Sequence, residues 1–468
     1  MRGDFELENN EQAKKEVARF EAMLRRNELK FFDVEQIDRI IQYYLLNGNV
    51  YLAGKAIHIG LSQHPSSVEL KFKKAQVLYR KGKPDQALHI LNELELFDRT
   101  NPEIYIFKAE ILSELQDFDN SIANFEQALA LTDSEDRDFL YVDIAAEFQN
   151  KGDYQNALTY LKRAIAENPY NEIAYLEVFF TLQMEDKMEE AIDFFQQIID
   201  KDPYNHNPWY FTGLAYHDLE LYEKAIEAFD FVIVIEESYV DAYLQKAECF
   251  IGLELYNHAI RTLLEILPEC DFKERIYFLL GECYENACHY ELAIDYYQKA
   301  LKETPDLADA WLGIGICFGQ MNRSAEGLEF IKKALSIEPN NGDFLLVKAE
   351  FLQNIGRFQD AEELYDKLIT TMPHNIDLWL DASQLYYRYD DYQTACEMLE
   401  LGLSYLPSAS ELLYRKAGLL MLRGFQNKGK DCLQSALMND KEKVNEFVEF
   451  FPELAQRDDI IEIIHTYL

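Results

Sequence analysis

Apolar residues in the stretch Glu274–Leu307 recur at helical spacing, and they do so twice. Tyr277, Leu280 and Tyr284 form one stripe, and Ala293, Tyr297, Ala300 and Leu301 form a second. The stretch therefore predicts two short amphipathic helices, joined by a tight turn at Ala287–His289 and stopped at Pro305. A pair this small has too little core to fold alone, so each stripe has to be buried on a neighbour. Moving the window by 34 residues in either direction returns the same pattern.

The repeats hold their register along most of the chain: 34–67, 68–101, 102–135, 138–171, 172–205, 206–239, 240–273, 274–307, 308–341, 342–375, 376–409 and 410–443. Only Asp136–Arg137 breaks the count, as a two-residue insertion in the acidic loop Thr132–Asp138. Position 20 of every unit is small, as in Ala53, Ala157, Ala293 and Gly429, and position 8 is small in all but Ile41 and Phe179. Small residues at fixed positions mean that two helices cross closely there. Position 4 is the large counterpart, expected to fill the groove that the small residues leave. It carries Trp209, Trp311 and Trp379, with Tyr105, Tyr141, Tyr175, Tyr243 and Tyr277 in other units. Prolines such as Pro169, Pro305 and Pro407 recur at position 32, where they cannot continue a helix and so punctuate the units. No strand signal matches this regularity, and the chain reads as all-α.

In the unit 308–341, Trp311, Ile314, Gly315, Phe318, Gly327, Ile331, Ala334 and Pro339 resemble the tetratricopeptide repeat (TPR), a helix-turn-helix unit of 34 residues. Gly327 stands where that family usually has alanine. The resemblance covers residues 34–443, an array of twelve repeats standing alone. It implies a right-handed superhelix, an α-solenoid whose concave groove is lined by the first helix of each unit. The flanking segments are expected to cap the stack. Residues 1–33 have an acidic, frayed start followed by a helix from Glu11 to Leu29, with Ala13, Val17, Phe20 and Leu24 on one face. Lys14, Lys15, Arg19, Arg25 and Arg26 make that helix basic, so partner docking is its alternative role. Residues 444–468 place Val444, Phe447, Phe450 and Phe451 before Pro452, and Ile460, Ile463, Ile464 and Tyr467 after it. They read as one or two closing helices, with self-association as the alternative.

Charge narrows the range of partners. The formal charge of −39 repels phosphate, which argues against direct nucleic-acid binding and against anionic membranes. A basic partner or plain solubility fits better. The start, MRGDFELENN, lacks the apolar core of a secretory signal. The longest tempting apolar run, Phe231–Ile235, is far short of the roughly 18 residues that a spanning helix needs. The expectation is a soluble, cytoplasmic protein. Seven cysteines are an odd number, and Cys249, Cys283 and Cys317 share one position of the repeat, so they read as small buried hydrophobes. Cys283 and Cys288 lack the second pair that a metal site requires.

No catalytic pattern stands out. Gly313-Ile314-Gly315 lies within a predicted helix and lacks the strand that a nucleotide loop follows. His58, His89, His217 and His258 have no partner at metal-ligand spacing, while His64 and His374 flank prolines at unit boundaries. What remains is recognition, without enzyme activity, cofactor or metal. In the family the groove is lined by positions 2, 5, 6, 9, 12 and 13. Here position 5 is mostly apolar, as in Phe72, Ile106, Leu244, Phe278, Leu380 and Tyr414. Position 2 is acidic in eight units, and position 9 adds Glu110, Glu248, Glu282 and Glu350.

An apolar floor edged by carboxylates suits a protein or peptide segment with hydrophobic anchors and Lys or Arg. The blander reading is that position 5 packs between units and that acids in a first turn complement the helix dipole. The family's carboxylate clamp for chaperone tails needs Lys at position 5 and Asn at position 9, and no unit has either. The best candidate patch is Tyr210, His217, Asp241, Gln245, Glu248, Phe278, Glu282 and Asn286. The leading reading is a scaffold for protein-protein interaction, with a place in a multi-subunit assembly left open. The alternatives are a peptide-responsive regulatory module and an assembly factor using its convex face or caps.

Overall fold

The computed structural model describes residues 2–26, 28–133 and 136–467, with side chains from residue 12 onward. The chain divides into two compact bodies, Met1–Glu237 and Ser238–Leu468. The N-terminal body starts with the helix Arg2–Arg26 and runs through six helical hairpins. These extend from Val34–Leu46 with Val50–Gln63 to His206–Asp218 with Tyr222–Ile235. The C-terminal body holds six more, from Val240–Gly252 with Tyr256–Ile266 to Ser410–Leu422 with Gln426–Asn439. It closes with the short helices Asn445–Phe450, Pro452–Ala455 and Asp458–Tyr467. There is no strand among the described residues. Within each body every hairpin packs on its neighbours in sequence, which is the architecture of an α-solenoid.

Each hairpin turns at a single left-handed residue. Position 15 has positive φ in all twelve hairpins, through Gly48, Gly82, Gln116, Gly152, Asp186, Glu220, Glu254, Cys288, Asn322, Gly356, Asp390 and Gly424. Beyond it, the position 16 amide donates back to the position 11 carbonyl: His289 to Tyr284 at 2.8 Å and Leu255 to Phe250 at 2.8 Å. This pairing satisfies carbonyls that the helix end would otherwise leave open. The turn at Ala287–His289 is where the apolar pattern places it. Side chains cap the first helix of seven hairpins, with Asn171 accepting from Ala174 N at 3.1 Å as one case.

The helix crossing lies at positions 8 and 20, as their small residues require. A methyl added at Gly327 would lie 2.5 Å from the Gly315 carbonyl oxygen. In the third hairpin Ser121 Oγ donates to the Ala109 carbonyl across the same crossing at 2.9 Å. The large residue opposite position 8 differs from the expectation, however. It comes from position 24: a methyl at Gly213 would lie 2.6 Å from the Phe229 ring, and one at Gly281 would lie 2.5 Å from Tyr297. The position 4 rings instead tie down the loop before their own helix. Trp209, Trp311 and Trp379 each donate from Nε1 to the carbonyl of Pro203, Pro305 and Pro373, at 3.1, 3.0 and 2.9 Å. Tyr175 does the same to Pro169 at 3.1 Å. An aromatic side chain with a polar tip suits a position that is apolar below and open above.

The terminal segments cover the ends of their bodies. The first helix begins at Arg2, ahead of the expected Glu11, and stops at Arg26. The chain then folds back to seat Phe32 in the core beside Phe20, and Asp33 caps the next helix with a reciprocal capping box. Residue 27 lies outside the described residues, and Leu29 is left 94% exposed. Val17, Phe20 and Met23 pack on Ile37, Ile40 and Ile41, and the half-buried Arg39 pairs with Glu16 at 2.8 Å. At the insertion, Arg137 opens the helix Arg137–Asn150, while residues 134–135 of the acidic loop lie outside the described residues. Phe447, Phe451 and Ile460 are buried on the last hairpin with Trp379 and Leu412.

Two substitutions test the crossing and the turn in one experiment. Ala293 is fully buried at position 20, so Ala293→Leu overpacks the crossing and costs roughly 1–3 kcal/mol. Glu254 holds φ at 58° with a β-carbon in the way, so Glu254→Gly stabilises by about 1 kcal/mol. Thermal melts followed by circular dichroism move in opposite directions for the two variants. Shifts of the same sign would remove one of the assignments.

Candidate functional site

In the N-terminal body, the first helices of the first three hairpins line one hollow of about 590 Å³. Its walls include Asp38, Glu69, Phe72, Ile106, Phe107 and Glu110, mainly from positions 2, 5 and 9. Lys73 also lines it and stands 3.5 Å from the Asp38 carboxylate. Burial raises Glu69, followed by the charge of Asp38, with Lys73 acting the other way. In the C-terminal body a smaller hollow of about 220 Å³ opens between Ile316, Gln320, Val347, Glu350 and Asn354. Groove positions thus meet on one face in both bodies.

The expected patch divides between the bodies. Tyr210 and His217 lie on His206–Asp218 of the N-terminal body. The half-buried Tyr210 ring stands 5.3 Å from Phe211 and 5.8 Å from Phe229, and His217 meets the ring of Tyr222 at 5.5 Å. The other six belong to the C-terminal body. Asp241 is exposed in the first turn of Val240–Gly252, and Gln245 and Glu248 are half-buried further along that helix. Phe278, Glu282 and Asn286 follow on Glu274–Asn286, with Phe278 5.8 Å from Tyr297 and Asn286 Nδ2 donating to the Glu282 carbonyl at 2.9 Å.

Glu282 and Glu248 share an electrostatic neighbourhood with Glu285 and Asp309. Burial, then the charges of Glu285, Asp309 and Glu248, push the Glu282 carboxyl up to about 7. Burial also raises Glu285, though bonds from Tyr297 Oη at 2.7 Å and Cys317 Sγ at 3.8 Å hold it back. Arg275 reaches Glu248 at 2.6 Å from position 2, where most units carry an acid. Position 6 adds acids that the sequence reading did not single out. Asp381 is pushed up to about 7 by burial and by Glu350 and Asp377, with Arg415 and Arg388 opposing.

The apolar floor is less continuous than expected. Leu244, Leu380 and Tyr414 are buried between hairpins, and Tyr414 Oη donates to the Asp440 carbonyl at 2.8 Å. The C-terminal segment also lies across inner positions of its own body. Phe450 stands 4.9 Å from Tyr387 at position 12, and the Arg415 guanidinium at position 6 sits 3.4 Å over the Phe450 ring. Arg415 pairs with Glu446 at 3.4 Å, and a methyl at Gly418, position 9, would strike Phe451. The closing helices therefore shield the last hairpin from the inside.

Among the described residues, no group of three His, Cys, Asp or Glu side chains could hold a metal ion. No described helix is long and apolar enough to cross a membrane. Cys249, Cys283 and Cys317 are fully buried free thiols, and burial pushes the first two up to about 12.

The raised carboxyls set an unusual pH dependence. Unfolding returns each acid to its ordinary range near 4, so between there and about 7 the native state holds more protons than the unfolded chain. Their stabilising protonation is complete below the unfolded value and is lost as pH rises through the folded one. Glu282→Gln therefore raises stability near pH 8 by about 1 kcal/mol, discounted for solvent screening, and changes it little near pH 4. Paired thermal melts check this, and an equal effect at both pH values would contradict it.

Family models of the tetratricopeptide repeat match residues 108–172, 150–210, 274–307 and 308–341. Solved structures with similar helices include MamA, at 22% identity over 35% of this chain and 95% of that one, with a TM-score of 0.33. YrrB, described as a TPR protein with an unusual peptide-binding site, is 22% identical over 40% of this chain and 97% of its own, with a TM-score of 0.34. A tetratricopeptide repeat protein from Parabacteroides merdae is 15% identical over 53% of this chain and 98% of its own, at 0.41. No curated protein matches the sequence. With the repeat matched in both bodies and the same hairpin recurring at 34-residue spacing on either side of the matches, the chain is a tetratricopeptide repeat protein.

Proposed function

We propose that this chain is a non-enzymatic scaffold that holds a segment of another protein on the inner face of its hairpins. The observation that carries the reading is the set of carboxylates around Glu282. The charges of Glu285, Asp309 and Glu248 bear on Glu282, one turn from the half-buried Phe278 ring, and with burial they keep Glu282 from ionising readily. Concentrated negative charge beside an apolar surface costs the free protein stability, and a bound cation would relieve that cost. A segment with Lys or Arg next to an apolar anchor fits this chemistry.

In the C-terminal body the contacts are Asp241, Gln245, Glu248, Phe278, Glu282 and Asn286. In the N-terminal body Tyr210 and His217 offer a ring and an imidazole of their own. A place in a larger assembly and a cytoplasmic setting accompany the reading, and the seven free thiols suit a reducing compartment.

Charge reversal tests it. Glu248→Lys with Glu282→Lys should remove partners that the wild-type chain retains on an affinity column. Wild-type capture should weaken between low and physiological salt, where the screening length falls to about 8 Å. An unchanged set of captured proteins would move the function to the outer surface or the terminal helices.

A further inference from the structure

Three carboxylates of the N-terminal body, two on its inner face and one buried beneath it, make no ion pair among the described residues. Glu110 is at position 9 of the third hairpin, on Pro102–Glu114. Asp143 and Glu147 lie one helical turn apart on Arg137–Asn150, the first helix of the fourth hairpin. Glu147 is only 5% exposed, and its Oε2 has no hydrogen-bond partner. Leaving a buried carboxylate oxygen without a donor is costly, and such a group calls for an explanation, an ion or ligand that would pair with it among them. Asp143 and Glu110 are exposed beside it.

Asp143 is open to water at its tip, but protein walls displace much of the surrounding solvent. That burial, then the charge of Glu147, pushes it up to about 6. Burial, then Asp143 and Glu114, raises Glu110. Among the described residues none of the three makes an ion pair, whereas Lys108 and Lys151 of the same hairpins pair with Glu95 and Asp119 instead.

An apolar seat adjoins these acids. Glu110 stands at the lip of the hollow of about 590 Å³ whose floor holds Phe72, Ile106 and Phe107. Ile106 and Glu110 are one turn apart on one helix, about 6 Å. An extended chain places residues two apart on the same side at about 7 Å, so one strand-like segment can address both.

We propose that Glu110, Asp143 and Glu147 form a seat for a lysine or arginine of a partner segment whose apolar residue, two positions away, fills the hollow over Phe72 and Ile106. The inference rests on the inner-face reading above and narrows it to a basic-apolar pair. Glu147 at the base adds its charge from beneath, and the exposed Asp143 and Glu110 meet the incoming cation. Charge-assisted hydrogen bonds are the stronger kind, and the neighbouring hollow holds the segment in register.

The test selects random dodecapeptides displayed on phage against the immobilised full-length chain, then measures the enriched peptide by fluorescence polarisation. The seat predicts Lys or Arg two residues from an apolar residue. It also predicts about a tenfold loss of affinity in Asp143→Asn with Glu147→Gln. Glu223→Gln with Glu227→Gln removes the same charge from an exposed second helix and should change nothing. Circular dichroism confirms that each variant is folded. Enriched peptides without basic residues, or indifferent to Asp143→Asn with Glu147→Gln, would overturn the seat. If Ile106→Ser still abolished their binding, the inner-face reading would survive. Peptides that bind Ile106→Ser as well as wild type, or no enrichment at all, would overturn both.

Discussion

Two helices that approach until one backbone touches the other are the constraint on which the molecule depends. The Gly315 carbonyl faces position 20 of its hairpin so closely that a methyl at Gly327 would lie 2.5 Å away, and Ser121 bonds to the Ala109 carbonyl at the same place. Close approach removes side chains from the crossing and makes room for one large residue at position 24, such as Phe229 or Tyr297. Tyr297 then reaches onward to Gly313 of the next hairpin, where a methyl would lie 2.5 Å from its ring. The crossing within one hairpin thus sets the contact with the next. Fixed crossings, fixed turns and fixed loop ties together make the 34-residue period a physical length.

Because core packing is assigned to the crossing, the inner positions are free to carry groups that no core would accept. The carboxylates at positions 6 and 9 use that freedom. Asp143, Glu282 and Asp381 sit where solvent is thinned by the walls around them, and their affinity for protons rises accordingly. Such a surface lowers the stability of the free chain, and under the proposed function a bound cation restores it. The C-terminal segment gives an intramolecular example of occupancy, with Phe450 stacked under Arg415 and against Tyr387.

Most of the fold was legible because small residues at positions 8 and 20 have only one packing explanation, and prolines at position 32 have only one backbone explanation. The left-handed turn was not legible, because Glu220, Glu254 and Cys288 occupy it as readily as Gly48 and local propensity is overridden there by the stacked helices. The indole nitrogens of Trp209, Trp311 and Trp379 could have been foreseen to need acceptors, and the carbonyl six residues back was the available one. For the site, acids at positions 2 and 9 could be read from spacing alone. The Arg275–Glu248 pair, the buried oxygen of Glu147 and the inward fold of Phe450 could not be read this way, since each depends on which neighbour arrives from another hairpin.

An in-frame excision within the C-terminal body tests the central claim most directly. Removing residues 274–307 deletes one complete period and joins Lys273 to Ala308 in register. Removing residues 281–312 instead joins Leu280 to Gly313 inside one helix, two residues out of phase, and so turns the following stripe away from its neighbours. The first variant is expected to keep its helical circular dichroism and a cooperative melt, and the second to lose the cooperative melt. Equal tolerance of both deletions, or equal collapse, would contradict the claim.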